Sequence, residues 1–219
     1  MKTATRLLLV PTDWERQKLP SHYVEQWLDC GHRIEISGFG QVVAAARTMQ
    51  LLATGSFDSV ALIGIAGSLS DDVAIGCAIQ FGTVYCDGIG VGQGATHRSS
   101  SDMGWQQWPD EPTIQDAIQL SAHKHDHPLP GLVSVLAASA TPSEAAWRHS
   151  RFPLGKAEDM EGFGVAVSCR LANVPLMIVR GISNRAGDRD HAKWNIAGSL
   201  DQAMQMILQK VLQPQEVSQ

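Results

Sequence analysis

A chain of 219 residues with 44% hydrophobic side chains is long enough for one domain with a real core. Its net charge of −5 excludes a general nucleic-acid binder, which needs a basic face for phosphates. No run approaches the roughly 20 apolar residues of a membrane span, which leaves a small-molecule substrate and a cytoplasmic setting as the expectation.

In chain order, short apolar runs alternate with longer amphipathic ones, the pattern of an α/β protein. Leu7–Val10 reads as a buried strand closed by Pro11-Thr12, and too short for a signal sequence. A helix is predicted from Asp13, interrupted near Pro20 and resuming to Cys30, with Gly31 ending it. Arg33–Ser37 is a second strand and Gly38-Phe39-Gly40 a turn, followed by an Ala-rich helix to about Thr54. Ser59–Gly64 is a third strand, running out into Ile65-Ala66-Gly67-Ser68. From Asp71 to Asp110 the chain is glycine-rich and reads as strands and loops, and Pro112–Lys124 reads as a helix. Gly131–Ala137 is a strand, and Pro142–His149 a short helix with Ser143 as its cap. Gly162–Ala172 has the small residues of a packed helix, Leu176–Ile182 is the central strand, and Trp194–Leu212 the last helix. Residues 1–212 thus form one domain, and 213–219 a frayed tail.

Several motifs take a plain reading. Gly38-Phe39-Gly40 and the series Gly88, Gly90, Gly92, Gly94 do not fit the dinucleotide fingerprint and read as tight turns. His123-Lys124-His125-Asp126-His127 lies in a polar stretch without partner ligands and reads as a solvated loop, so neither metal nor cofactor is expected. The four cysteines show no CxxC spacing and read as reduced, buried thiols.

In open α/β sheets ligands bind beyond the carboxyl ends of the strands, which makes Pro11–Glu15, Gly64–Ser68 and Ser183–Asp190 candidates by position. Asp159-Met160-Glu161 admits two readings. One is an acidic helix start, which complements the macrodipole; the other is a carboxylate for ribose hydroxyls beside a soft methionine for the sugar face. Arg180, inside an apolar strand, needs a buried carboxylate, with Glu161 or Glu15 as candidates. Asn184, at that strand's end, suits the edge of a heterocycle, because its amide both donates and accepts.

Together these segments resemble the nucleoside phosphorylase and nucleosidase superfamily. The resemblance rests on Leu9-Val10-Pro11-Thr12-Asp13-Trp14-Glu15, Ser37–Gly40, Gly64–Gly67, Asp159–Gly162 and Val174–Asn184, in family order. It implies a single-domain, three-layer αβα fold around a mixed, partly barrel-like sheet, and a homo-oligomer acting on a purine nucleoside. Within the superfamily the pattern is most similar to the futalosine hydrolases. Asn184 stands where adenine-specific nucleosidases carry an aspartate, and the loop Arg185–Asp190 with Trp194 beyond it is of the futalosine hydrolase kind.

What the resemblance implies for the site is a water-dependent cleavage, since the Ile63–Gly67 loop has no arginine for phosphate. Glu15 is the expected general base, assisted by Arg180; Asn184 stabilises the leaving hypoxanthine. Met160, Glu161 and Ser183, with the backbone of Ala66 and Gly67, are the expected substrate contacts. Asp190 is expected either to act as an acid or to orient Asn184. Trp105, Trp108 or another aromatic is expected to stack on the base, because the Ala138–Thr141 segment has none. Arg98, Lys156 and Arg189 are candidates for an anionic substrate tail. The alternatives are an adenine-directed nucleosidase, a purine nucleoside phosphorylase and a nucleoside-binding sensor without turnover.

Overall fold

The computed structural model describes residues 5–120 and 128–212, with the side chain of Leu212 left aside. The histidine-rich segment 123–127 and the tail 213–219 lie outside the described residues. Strands are β1 (Arg6–Val10), β2 (Arg33–Ile36), β3 (Ser59–Ser68), β4 (Ala78–Phe81), β5 (Thr83–Asp87), β6 (Gly90–Val91), β7 (Arg98–Ser99), β8 (Ala117–Gln119), β9 (Gly131–Val135), β10 (Gly155–Asp159) and β11 (Leu176–Arg185). Helices are α1 (Asp13–Arg16), α2 (Ser21–Asp29), α3 (Gln41–Thr54), α4 (Pro142–Arg151), α5 (Gly162–Leu171) and α6 (Ile196–Leu212).

Among the described residues nine strands form one mixed sheet, with β6 and β7 a separate ribbon. β3 is its hub. Its first half pairs with β1, its last residues pair antiparallel with β10, and nearly its whole length pairs in parallel with β11. Beyond β10 the sheet continues through β9 and β5 to β8.

The run Leu7-Leu8-Leu9-Val10 is apolar throughout because both sheet faces are covered. Leu7 and Leu9 join one core cluster with Ala44 of α3 and Phe163 of α5, while Leu8 and Val10 join the other with Trp27 of α2 and Leu200 of α6. This gives the three layers. No helix among the described residues is long and apolar enough to cross a membrane.

Three expectations are corrected. Of the expected helix 112–124, residues 112–120 hold strand β8 instead, and the rest lies outside the described residues; Ile114, Ile118 and Leu120 are buried between exposed Gln115, Ala117 and Gln119, a two-residue period that fits the edge of β5. Thr141, not Ser143, caps α4, its hydroxyl accepting from the Glu144 N–H. Of the four free thiols only Cys86 and Cys169 are buried; Cys77 is half-buried and Cys30 exposed.

Candidate active site

The carboxyl ends of β1, β3, β10 and β11 converge on one cavity of about 280 Å³. Its lining includes Glu15, Ala66, Gly67, Met160, Glu161, Ser183 and Asn184, so the sheet gathers seven of the expected residues. They come from segments up to 169 positions apart.

Glu15 is placed by a cap. Thr12, two residues past β1, caps α1: its hydroxyl accepts from the Glu15 N–H at 3.1 Å. The same hydroxyl donates to Glu15 Oε2 at 2.7 Å, and the Ile65 N–H donates to Oε1 at 3.0 Å. The carboxylate is thus held between two strand ends, 6% exposed.

Arg180 does not line the cavity; it lies beneath it, fully buried in β11. Its principal partner is Asp159, through Nε at 3.1 Å and Nη2 at 2.5 Å, with Glu161 Oε2 also 3.1 Å from Nη2. Of the two carboxylates expected as its partner, Glu161 forms the ion pair, while Glu15 acts on it only through its charge. Burial works against the guanidinium's charge, but Asp159, Glu161 and Glu15 around it hold its pKa above the ordinary value. Asp159 in turn accepts from the Gly162 N–H and from Ser134 Oγ, satisfying the start of α5. Both readings of the Asp159–Glu161 segment therefore apply: Asp159 serves the helix start and the arginine, while Glu161 faces the cavity.

Glu161 Oε1 accepts from the Gly40 N–H at 3.1 Å. Burial pushes its pKa up to about 7; Arg180 pulls it down, and Asp159 adds repulsion. Met160 lies between these carboxylates on the cavity wall.

Asn184 lies one residue before the end of β11, at a register shift opposite Gly67. Its amide nitrogen donates to the carbonyls of Arg185 at 2.7 Å and Asp188 at 3.3 Å, and its Oδ1 accepts from Ser183 Oγ at 2.8 Å. Both amide hydrogens are engaged, and Oδ1 retains one lone pair. Asn184 therefore offers the cavity an acceptor, and the donating half of its amide is taken up by the backbone.

Asp190 is not brought to the cavity. It caps the short helix His191–Lys193 by accepting from the Ala192 N–H and pairs with Lys193 at 3.1 Å, which with those contacts holds its pKa below the usual carboxylate range. Its proximity in sequence to Asn184 reflects loop chemistry instead. Trp105 and Trp108 are exposed and stand outside the lining; the aromatics that do line it are Trp14, Phe39 and Trp194. Of the three candidate cations only Arg189 lines it, stacked over Trp194 at 5.1 Å. Lys156 pairs with Asp72, and Arg98 donates to the Asp102 carbonyl.

Glu158, His191, Trp14 and Phe39 also line this wall, though nothing in their sequence context marked them as contacts. Glu158 is the exception: three carboxylates within residues 158–161, at a strand end, are more than a helix start requires.

A three-layer α/β fold with a mixed sheet, and a carboxylate-walled cavity at its strand ends, define a protein of the nucleoside-cleaving class. The family model described as the phosphorylase superfamily matches residues 32–213, and the chain belongs to that family. The chain is 27% identical over 172 residues to a futalosine hydrolase of Streptomyces coelicolor, covering 75% of this chain and 72% of that one. It is 28% identical over 161 residues to a 5′-methylthioadenosine/S-adenosylhomocysteine nucleosidase of Anoxybacillus flavithermus, covering 72% and 69%. Among solved structures it resembles the futalosine hydrolase of Helicobacter pylori, with TM-score 0.72 and 16% identity over 94% of this chain and 96% of that one. The 5′-methylthioadenosine/S-adenosylhomocysteine nucleosidase of the same organism gives TM-score 0.74 at 16% identity, covering 96% and 99%. At such identities the structural likenesses speak to the fold alone.

Proposed function

We propose that this chain, an N-glycosidase, hydrolyses futalosine, releasing hypoxanthine and leaving dehypoxanthine futalosine for menaquinone biosynthesis in the cytoplasm. The observation that carries this reading is Asn184. An adenine base leaves best when an acid delivers a proton to N7, and a carboxamide has no proton of that acidity to give. A 6-oxopurine leaves as a base that carries N7–H, and the free lone pair of Asn184 Oδ1 accepts it.

In the mechanism the bond from C1′ to N9 breaks with its electron pair going to the purine ring. Water bonds to C1′ and passes its proton to Glu15, and the departing base takes a proton from solvent at N7. Met160 packs on the ribosyl cation and Glu161 accepts from its 2′ and 3′ hydroxyls, with Ala66, Gly67 and Ser183 completing the wall. Arg180 acts through others: it holds Asp159 and Glu161 in place. The substrate's acidic tail pairs with Arg189, which lines the cavity beside Trp194 and forms no ion pair among the described residues. The enzyme works as a homo-oligomer, a reading supported by Phe39 on the cavity wall and by Val42 and Val43 in the first turn of α3, which are 62%, 76% and 54% exposed.

The relative acting on methylthioadenosine and S-adenosylhomocysteine keeps an adenine-directed nucleosidase as the second reading. The test offers futalosine, inosine and methylthioadenosine with and without phosphate and follows the released base. Hypoxanthine from futalosine without phosphate is the expected result, with Glu15→Gln slowing turnover by ~10²–10⁴ and binding nearly unchanged. Adenine from methylthioadenosine, or a need for phosphate, would overturn the assignment.

A further inference from the structure

Glu158 is a buried carboxylate that the mechanism above does not use. It is 5% exposed and lines the same cavity as Asn184. Its place follows from sheet register: Gly67 at the end of β3 pairs with Glu158 of β10 on one side and with Asn184 of β11 on the other. With strands about 4.8 Å apart, the two Cα atoms stand roughly 10 Å from each other across a residue that has no side chain. The end of β3 is thus flanked by two polar side chains.

The remaining hydrogen-bond capacity of each can be counted. Glu158 Oε1 accepts from the Ser139 N–H at 2.8 Å, and Oε2 accepts from Ser139 Oγ at 2.8 Å and from Arg148 Nη1. Four lone pairs less three bonds leaves one, on Oε1. Arg148 is itself fixed to Asp87 at 2.9 Å, and Arg151 holds the other oxygen of Asp87 at 2.7 Å. These bonds anchor Glu158 from behind. The cavity therefore presents two acceptors, Glu158 Oε1 and Asn184 Oδ1, on rigid strand ends.

We infer that Glu158 is the residue that selects the base, accepting N1–H of a 6-oxopurine while Asn184 accepts N7–H. A 6-aminopurine has a lone pair at N1, which this carboxylate repels. The inference rests on the reading of the substrate as a 6-oxopurine nucleoside and adds the group that enforces it. Asn184 alone makes a weaker filter, because the 6-amino group of adenine also donates to an amide oxygen.

The experiment compares kcat/KM for futalosine and its 6-amino counterpart in the wild type and in Glu158→Gln. The wild type favours the 6-oxo substrate, and the variant lowers that preference at least tenfold, through loss on the 6-oxo side. A uniform loss on both substrates, with the preference intact, assigns Glu158 a structural role and overturns the inference. If Glu158→Gln does not fold, wild-type cleavage of 1-methylinosine against inosine decides. Loss of the N1 donor should cost at least about a hundredfold, since sites built around a hydrogen bond reject analogues lacking it; equal rates overturn the inference. Failure of the wild type to cleave any 6-oxopurine nucleoside would instead refute the substrate reading itself, before any variant is made.

Discussion

Glu161 is asked to do two things that conflict: to sit in a buried wall and to bear a charge for ribose hydroxyls. Burial wins in part, which is why its pKa rises from 4.5 to about 7 despite Arg180 nearby. The consequence for stability has a definite sign. Below pH 4.5 the group is protonated whether the chain is folded or not. Between 4.5 and about 7 the unfolded chain releases the proton and the folded one keeps it, so rising pH favours unfolding. The contribution is lost as pH passes the folded value. Denaturant unfolding across that window should show Glu161→Gln with a less negative slope of unfolding free energy against pH than the wild type. Parallel slopes would mean that Glu161 titrates normally. Glu15, by contrast, keeps its place through Thr12 and the Ile65 N–H rather than through a cation, a division of labour invisible in the spacing of the residues.

Among the elements, β3 and β11 carry the site, and Gly64 shows how tightly. A Cβ built there falls 2.0 Å from Arg180 Nη1, 3.0 Å from Glu15 Oε1 and 3.1 Å from Pro11 Cδ. The guanidinium crosses beneath β3 through the space that a side chain would fill, and its bonds to Asp159 and Glu161 leave it nowhere to go. Gly64→Ala should lose at least the ~1–3 kcal/mol of an overpacked core and lower turnover by displacing Arg180, Glu161 and Glu15 together. Thermal unfolding and steady-state rates on the same preparation would test this; a variant of wild-type stability and rate would show that Arg180 has room. In the sequence this glycine marks the last residue of the third strand. Strand β3 in fact runs through it to Ser68, because β11 and then β10 supply partners for its extension.

At the scale of the whole molecule, the uncovered surface is informative. Phe39, which lines the cavity, and Val42 and Val43 lie exposed where β2 gives way to α3, and water contact there is unfavourable for a group of large apolar side chains. Sedimentation should give at least twice the 23.7 kDa of one chain, and Val42→Glu should shift the species toward the monomer. A wild type sedimenting as a single chain would sink the proposed assembly.

The alternation of apolar strands with helices was readable in the order of the residues, since strands buried on both faces must be apolar throughout and helices one-sided. So were Glu15 and Asn184 as candidates, because they follow strand ends, where sheets bind ligands, and Met160 and Glu161, as a soft methionine beside a carboxylate. The segment 112–120 was misread because its short two-residue period becomes a strand only when β5 provides an edge. Asp190 was drawn in because it is a neighbour of Asn184 in sequence, yet its carboxylate turns to its own helix cap. Only the tertiary structure decided which carboxylates share Arg180, which aromatics face the cavity, and that Glu158 stands across Gly67 from Asn184. Pattern along a chain reports which face of an element is buried; it carries no register between strands far apart in sequence, and here the register makes the site.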